Sequence, residues 1–520
     1  MEKSKVISGT LSLTISTVIV KVLGLIYKIP LANLLGDEGM GYFNSAYTVY
    51  TFFFLLCTAG VPKAVMILVS EAKALQNPKS EQRIVKTALM AFLIISIVTT
   101  VLFILLADPL SNLIGNKKSA ATMIAIAPSI IFISLAGVIR GYLSAEMKLL
   151  EIAVSQIIEG VGKLAFGLVF AMLGVRLKMS LPLVSAFTIL GVTLGAMAGL
   201  AYLAVSSKTA EQGNNTGQNI IFHSKRKIIK RVFSISLPIT ASAAIMSITG
   251  MIDLTFIMRG LGSIGYTESE ASSLYGNYTT LAVPMFNLAV ALISPISIAF
   301  IPVFTRAYHQ KQHELLEESF KSALKLSSFL AAPMMLGLVF FGREILSMLF
   351  PKSGVEIGSS LLFLISPAII FSSVLIITNS FLEACGKVKA PMLSMSVGAL
   401  AKVIVSYMLL KDPDVGISGA PIGTVVCYAV ALICSMIVYT RSFGKALPLF
   451  SCCFAQILVA FASVGSVRLL YNLLAEGINN SILLILSISL CALIYIGFSL
   501  LFGVINIQKN EKIAKYTNSF

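Results

Sequence analysis

Two lysines, Lys21 and Lys28, stand inside the long apolar stretch that runs from Val6 to Leu35. Seven residues is about two turns of a helix, so both ammonium groups project from one face. The same face carries Thr10, Thr14, Thr17 and Gly24, all small or polar. A charge near the centre of a bilayer costs roughly 3 kcal/mol on insertion scales. Such a stripe is expected to border a watery cavity within a helical bundle, and its sign calls for an anionic ligand.

The elements that must hold these lysines are set by composition. Of 520 residues, 57% are hydrophobic and only 12% charged, and the mean hydropathy is +0.91. A soluble protein carries about a quarter of its residues as Asp, Glu, Lys and Arg, so a soluble enzyme or nucleic-acid-binding domain is excluded despite the net charge of +16. The seven cysteines (Cys57, Cys385, Cys427, Cys434, Cys452, Cys453, Cys491) fall almost entirely within apolar stretches and include no Cys-x-x-Cys. They read as small membrane residues rather than disulfide partners or metal ligands. Met1-Glu-Lys-Ser-Lys5 followed by an apolar run without a small-residue cleavage site reads as a retained first span.

A window of about 20 residues predicts an all-α polytopic membrane protein of about fourteen transmembrane helices. They lie near 6–35, 42–70, 84–107, 120–143, 149–173, 181–205, 231–259, 275–303, 320–341, 359–383, 390–410, 418–440, 447–471 and 480–506. The organisation expected is a six-helix lobe over 1–205, a cytoplasmic linker over 206–230 and a second six-helix lobe over 231–441. Two extra helices over 442–506 and a cytoplasmic tail over 507–520 follow. Lys and Arg concentrate in alternate loops, as in Lys225-Arg226-Lys227, so both termini are expected on the cytoplasmic side of a bacterial cell membrane. Loop charges are explained by topology alone. Five lysines well within the spans are not: Lys21, Lys28, Lys63, Lys163 and Lys402.

The two halves repeat. Pro128 to Lys148 (PSIIFISLAGVIRGYLSAEMK) overlies Pro367 to Lys387 (PAIIFSSVLIITNSFLEACGK) without a gap, and the same offset of 239 sets Lys163 on Lys402. Upstream, an offset of 233 pairs Tyr42 with Tyr275, Asn44 with Asn277 and Pro62 with Pro295. Six spans per repeat is an even number, so the repeat is parallel, with its approximate two-fold axis along the membrane normal. A cavity between lobes would be lined by Asn44, Thr48, Thr51, Thr58 and Pro62 of span two, Ser242, Thr249 and Asp253 of span seven, and Asn277, Thr280, Pro284, Asn287 and Ser294 of span eight. Interhelical hydrogen bonding is the plainer account of any one such residue. Glu159 stands four residues before Lys163 and is expected to pair with it on one helical face, whereas Lys402 has no acid at that spacing. His309 and His313 have the spacing of metal ligands, but with no third ligand in view they read as a solvated helix face.

The opening VKVLGLIYKIPLANLLGDEGMGYFNSAYTVYTFF and the later AGVPKAVMILVSE resemble the multidrug/oligosaccharidyl-lipid/polysaccharide exporter superfamily, in its stage V sporulation protein B and lipid II flippase branch of polysaccharide biosynthesis proteins. The resemblance spans the chain. Lys21 matches the basic residue that such flippases carry before a Val-Leu-Gly in the first span. A second basic position falls on Tyr27, with Lys28 beside it, and the basic residue of span eight has no counterpart between Tyr275 and Val303. The resemblance implies a flippase, not an enzyme, that moves a polyprenyl-pyrophosphate-linked saccharide, lipid II or a related wall or polysaccharide precursor, from the inner to the outer leaflet by alternating access. The ligand contacts implied are Lys21, Lys28, Lys63, Asn44, Thr51, Asp253, Asn277, Asn287 and Lys402, with no metal or other cofactor, no nucleic acid and a monomeric working unit among membrane lipids. The alternative is a cation-coupled multidrug exporter of the same fold centred on Asp253. A membrane enzyme acting on lipid-linked sugars would need catalytic acids and an outer domain that this sequence does not display.

Overall fold

A computed structural model describes residues 2–74, 77–208, 224–387, 389–444, 450–474 and 480–501. Within them the regular structure is helical throughout: α1 (Glu2–Thr58), α2 (Val61–Ala74), α3 (Pro78–Ile114), α4 (Ala120–Ile126), α5 (Ser129–Ala145), α6 (Leu149–Arg176), α7 (Leu181–Lys208), α8 (Lys225–Ser263) and α9 (Glu268–Asn277). There follow α10 (Val283–His309), α11 (His313–Leu349), α12 (Val355–Ile365), α13 (Ala368–Ala384), α14 (Lys389–Leu409), α15 (Gly419–Phe443), α16 (Ala455–Leu474) and α17 (Asn480–Leu501). Among the described residues ten helices are long and apolar enough to cross a bilayer, and two bent pairs raise that to twelve. The two further spans read from the sequence, near 6–35 and 231–259, fall on the helical backbone of α1 and α8. Both include side chains outside the described residues.

Breaks occur where backbone chemistry demands them. α1 kinks at Gly36, whose φ of 66° lies in the left-handed region that glycine enters without a Cβ penalty. Pro128 and Pro367 separate α4 from α5 and α12 from α13, with bends of 42° and 40°. Neither proline can donate into the helical ladder. The chain crosses each break with i→i−3 bonds, Ile130 N to Ala127 O and Ile369 N to Ser366 O. A π-helical turn over Tyr278–Ala282 lies between α9 and α10, just ahead of Pro284, where the wider turn accommodates a residue that cannot donate.

The chain divides into two compact units, Met1–Gly276 and Asn277–Phe520. In the first, α6 and α7 approach closely because Gly162 faces Gly195 and Gly167 faces Gly191, where a Cβ would collide with backbone. α8 packs with this unit: Ile228 and Val232 join Val61, Val65, Leu68, Ile84 and Phe92 in one core. Phe92 and Phe233 stack at 6.0 Å, and Arg231 pairs with Glu71 at 2.8 Å. Arg259, near the other end of α8, donates to the carbonyls of Leu113 and Asn112 at the close of α3. Asp253, placed by the sequence in the second lobe, therefore stands on a helix of the first compact unit.

The second unit is centred on Phe304, Phe320, Phe381 and Tyr439, contributed by α10, α11, α13 and α15. α16 and α17 cover α11 through Val459, Val464, Val467, Leu484 and Tyr495. Arg468 pairs with Glu344 at 2.7 Å, its guanidinium packed on Phe341 and Tyr471.

The sequence repeat is also a repeat of local geometry. At the offset of 239, α5 superposes in sequence on α13 at both ends. Lys148 N donates to Leu143 O as Lys387 N does to Leu382 O. Met147 and Gly386 both take left-handed backbone, φ 58° and 80°.

Candidate functional site: a cationic and aromatic cluster on the first helix

The backbone of α1 is helical from Glu2 to the kink at Gly36, so Lys21 stands two turns ahead of Lys28. The side chain of Lys21 lies outside the described residues. Lys28 is half-buried and within electrostatic reach of Lys163 on α6. Lys163 Nζ sits 4.7 Å from the centroid of Tyr47 and 5.6 Å from that of Tyr27. A cation over an aromatic face is attracted by the ring quadrupole, worth about 0.5–2 kcal/mol according to solvation. Tyr27 is buried, and its hydroxyl has no hydrogen-bond partner among the described residues. Gly167 makes the space for that ring, since a Cβ there would lie 2.6 Å from the phenol oxygen.

This corrects one expectation. Glu159 does not pair with Lys163. It accepts from Arg140 on α5 at 2.8 Å, and Arg140 also donates from Nε to Ser155 at 3.3 Å. The nearest acid in sequence is engaged elsewhere, and the ammonium of Lys163 is carried by aromatic rings instead. Lys28 of α1 and Lys163 of α6, both singled out in the sequence, are thus within electrostatic reach of each other across two helices. Local spacing could not find this, because Tyr27, Tyr47 and Lys163 meet only when α1 docks against α6.

The polar residues of α1 continue along the helix beyond the kink. Thr48 Oγ1 donates to Asn44 O at 2.9 Å and lies 3.0 Å from the Tyr275 hydroxyl. Thr51 Oγ1 donates to Tyr47 O at 2.7 Å, and Thr58 Oγ1 donates to Phe54 O at 2.8 Å. Asn44 is buried. The threonine hydroxyls thus spend their protons on their own helix and keep acceptor capacity. Aromatic contacts continue along the helix from Phe43 to Tyr47, Tyr50 and Phe54. Ser129 donates to the Tyr50 hydroxyl at 2.8 Å.

The remaining expected residues are more scattered. Lys63 is exposed at the third position of α2, on the side opposite the core residues Ala64, Val65 and Leu68. Asp253 is half-buried on α8, while the side chain of Ser242 lies outside the described residues. In the second unit Asn277 is buried beside the π-helical turn and Asn287 is exposed on α10. Lys402 on α14 is half-buried within electrostatic reach of Tyr428 on α15. His309 closes α10 and His313 opens α11, both exposed, so they do not share a helical face.

The chain is an all-helical, multi-pass membrane protein, and its relatives are flippase and transporter families rather than enzymes. Residues 6–308, more than half of the chain, match the family described as polysaccharide biosynthesis protein, and the chain belongs to that family. Residues 278–408 also match the MatE family. The chain is 24% identical to stage V sporulation protein B of Bacillus subtilis (strain 168) over 453 residues, which cover 86% of this chain and 85% of that protein. It is 21% identical to the lipid II flippase MurJ of the same organism over 458 residues, or 85% and 84% of the two chains. Among solved structures, the inward closed conformation of the lipid II flippase MurJ matches with a TM-score of 0.72 at 15% identity, covering 94% of this chain and 98% of that one. An inward-facing multidrug resistance MATE family transporter matches with a TM-score of 0.63 at 16% identity, covering 84% and 97%.

Proposed function

We propose that this protein flips a polyprenyl-pyrophosphate-linked saccharide, lipid II or a related wall precursor, from the inner to the outer leaflet by alternating access. The observation that carries this reading is the placement of Lys163 over the rings of Tyr27 and Tyr47, within electrostatic reach of Lys28. Two ammonium groups held close together repel each other, so a ligand carrying two adjacent negative charges relieves a cost that the empty site bears. A pyrophosphate has that charge distribution, and lysine serves it as a point charge. Lys21, two turns away, extends the same face, and Lys63 and Lys402 supply further positive charge. Asn44, Thr51, Asn277, Asn287 and Asp253 have the donors and acceptors that sugar hydroxyls require. With both termini cytoplasmic and the cell interior negative, moving two negative charges outward is favoured by up to about 4.6 kcal/mol per 100 mV. Direction then needs no nucleotide, and a monomer suffices. The name of one relative, a lipid II flippase, favours the same substrate class.

The test is flipping of a fluorescent lipid-linked saccharide in proteoliposomes. Lys21→Ala and Lys28→Ala are expected to accumulate normally in the membrane but lose transport, with Lys21→Arg retaining more than Lys21→Ala. Full transport by the Lys21→Ala, Lys28→Ala double variant sinks the cationic mechanism. The MatE match over residues 278–408 supports a second reading, a cation-coupled drug exporter. Under that reading Asp253→Asn abolishes efflux of cationic drugs, whereas a flippase so altered keeps part of its flipping. Cysteine labelling from opposite sides at positions 225 and 352 tests the orientation, with Lys225 expected inside and Lys352 outside.

A further inference from the structure

A second basic site lies away from the cluster on α1. A cavity of about 470 Å³ opens at the seam where α3 and α8 begin. Lys79, Arg83 and Lys86 of α3 and Lys225 of α8 line it, with Gln82 and Thr87, above an apolar floor that includes Met90, Ile94 and Ile229. No carboxylate is among its lining residues. Of the acids nearby, Glu71 pairs with Arg231 at 2.8 Å and Glu146 with Lys73 at 2.9 Å, and Glu81 in the first turn of α3 is not among the lining residues. Both helices start here, so their N-terminal dipoles add to the positive potential.

We propose that this cavity holds the headgroup of an anionic bilayer phospholipid, with its acyl chains lying along α3. The four cations meet the phosphodiester, and the apolar floor distinguishes a lipid from a free anion. That floor leads directly into the outward face of α3, where Met90, Ile94, Ile97, Val101 and Leu105 are all exposed at helical spacing. Basic pockets between membrane helices on the cytoplasmic side are suited to such headgroups. The positive-charge bias puts Lys79, Arg83, Lys86 and Lys225 on that side. The polar segment 209–223 precedes Lys225 and is a rival occupant, but it carries a single acid, Glu211, against four cations. Behind the cavity, Ile84, Phe92, Ile228 and Val232 bind α3 to α8 in the core. A lipid bridging the two helix ends therefore stabilises the seam between them.

The proposal is independent of what the protein transports, and its test reads lipid retention rather than transport. The full chain is purified from nanodiscs containing phosphatidylcholine with a minor fraction of phosphatidylglycerol, and retained lipid is counted by native mass spectrometry. The unaltered protein is expected to retain one phosphatidylglycerol that Lys79→Gln, Arg83→Gln, Lys86→Gln, Lys225→Gln loses, with affinity falling roughly fivefold per cation removed. Thermal unfolding in pure phosphatidylcholine should be the same for both, which separates loss of the site from loss of the fold. Raising the phosphatidylglycerol fraction should then stabilise only the unaltered protein. Equal retention by both proteins overturns the proposal. So does equal stabilisation by soluble inorganic phosphate, which marks an anion site, or retention of phosphatidylglycerol only once residues 209–223 are deleted, which marks the linker as occupant.

Discussion

α5 of the first unit and α13 of the second share bounds, the preceding bend and the closing turn, yet the polar chemistry that ties each to its neighbours differs. In the first, Arg140 pairs with Glu159 and contacts Ser155. At the offset of 239, Arg140 corresponds to Asn379, Ser155 to Ser394 and Glu159 to Gly398. In the second unit Ser435 donates to Asn379 Oδ1 at 2.8 Å and lies 2.9 Å from Ser394 Oγ. The same architecture is thus closed once by an ion pair and once by a neutral hydrogen-bonded triad. Gly398 lets α15 approach so closely that a Cβ would collide with the Cys427 carbonyl. The fold requires satisfied polar groups at this place but not charge. The charges of the first unit are therefore surplus to architecture. Arg140 takes Glu159, and Lys163 goes to the rings of Tyr27 and Tyr47.

The sharpest way to break this comparison is to neutralise the equivalent lysines. Lys163→Ala is expected to lower flipping about 100-fold, since a hydrogen bond to a charged group is worth up to about 3 kcal/mol. Lys402→Ala should lower it only severalfold. Equal losses would show that the two halves contribute alike and that the aromatic bed of Lys163 has no special part.

A smaller effect separates the ion pair from the neutral triad. Removing Glu159 strands a guanidinium whose side chain is only 15% exposed, so Glu159→Ala should cost about 3 kcal/mol of stability, the low end for a buried pair. The double variant Arg140→Asn, Glu159→Ala restores the neutral chemistry of the second unit and should recover most of that loss. Denaturation in detergent measures both, and a double variant no more stable than Glu159→Ala would refute the equivalence.

The smallest effect lies at the shared left-handed residue. A side chain in that conformation costs about 1 kcal/mol. Met147 is half-exposed and loses little contact on truncation, so Met147→Gly should stabilise by up to about 1 kcal/mol. Gly386→Ala should destabilise by a similar amount, through backbone strain alone, because nothing lies within 4 Å of a Cβ there. Opposite shifts in the unfolding midpoint confirm the pairing, and shifts of like sign contradict it.

What the residues determined by themselves is the helical membrane class, carried by apolar runs of bilayer length, and the repeat, carried by matching residues at a fixed offset. Near 120–143 and 359–383 the sequence reads as unbroken spans, and the bends at Pro128 and Pro367 emerge only in the structure. Lys28 stood out in the sequence, since a charge in an apolar run is visible without partners. Tertiary structure alone decided the rest: Glu159 goes to Arg140, Lys163 to Tyr27 and Tyr47, and α8 with Asp253 to the first compact unit. It also turned Lys79, Arg83, Lys86 and Lys225, which read as ordinary loop-side charge, into the rim of one cavity. Such pairings depend on which helix faces dock, and docking is selected by glycine contacts and core packing between segments far apart in sequence.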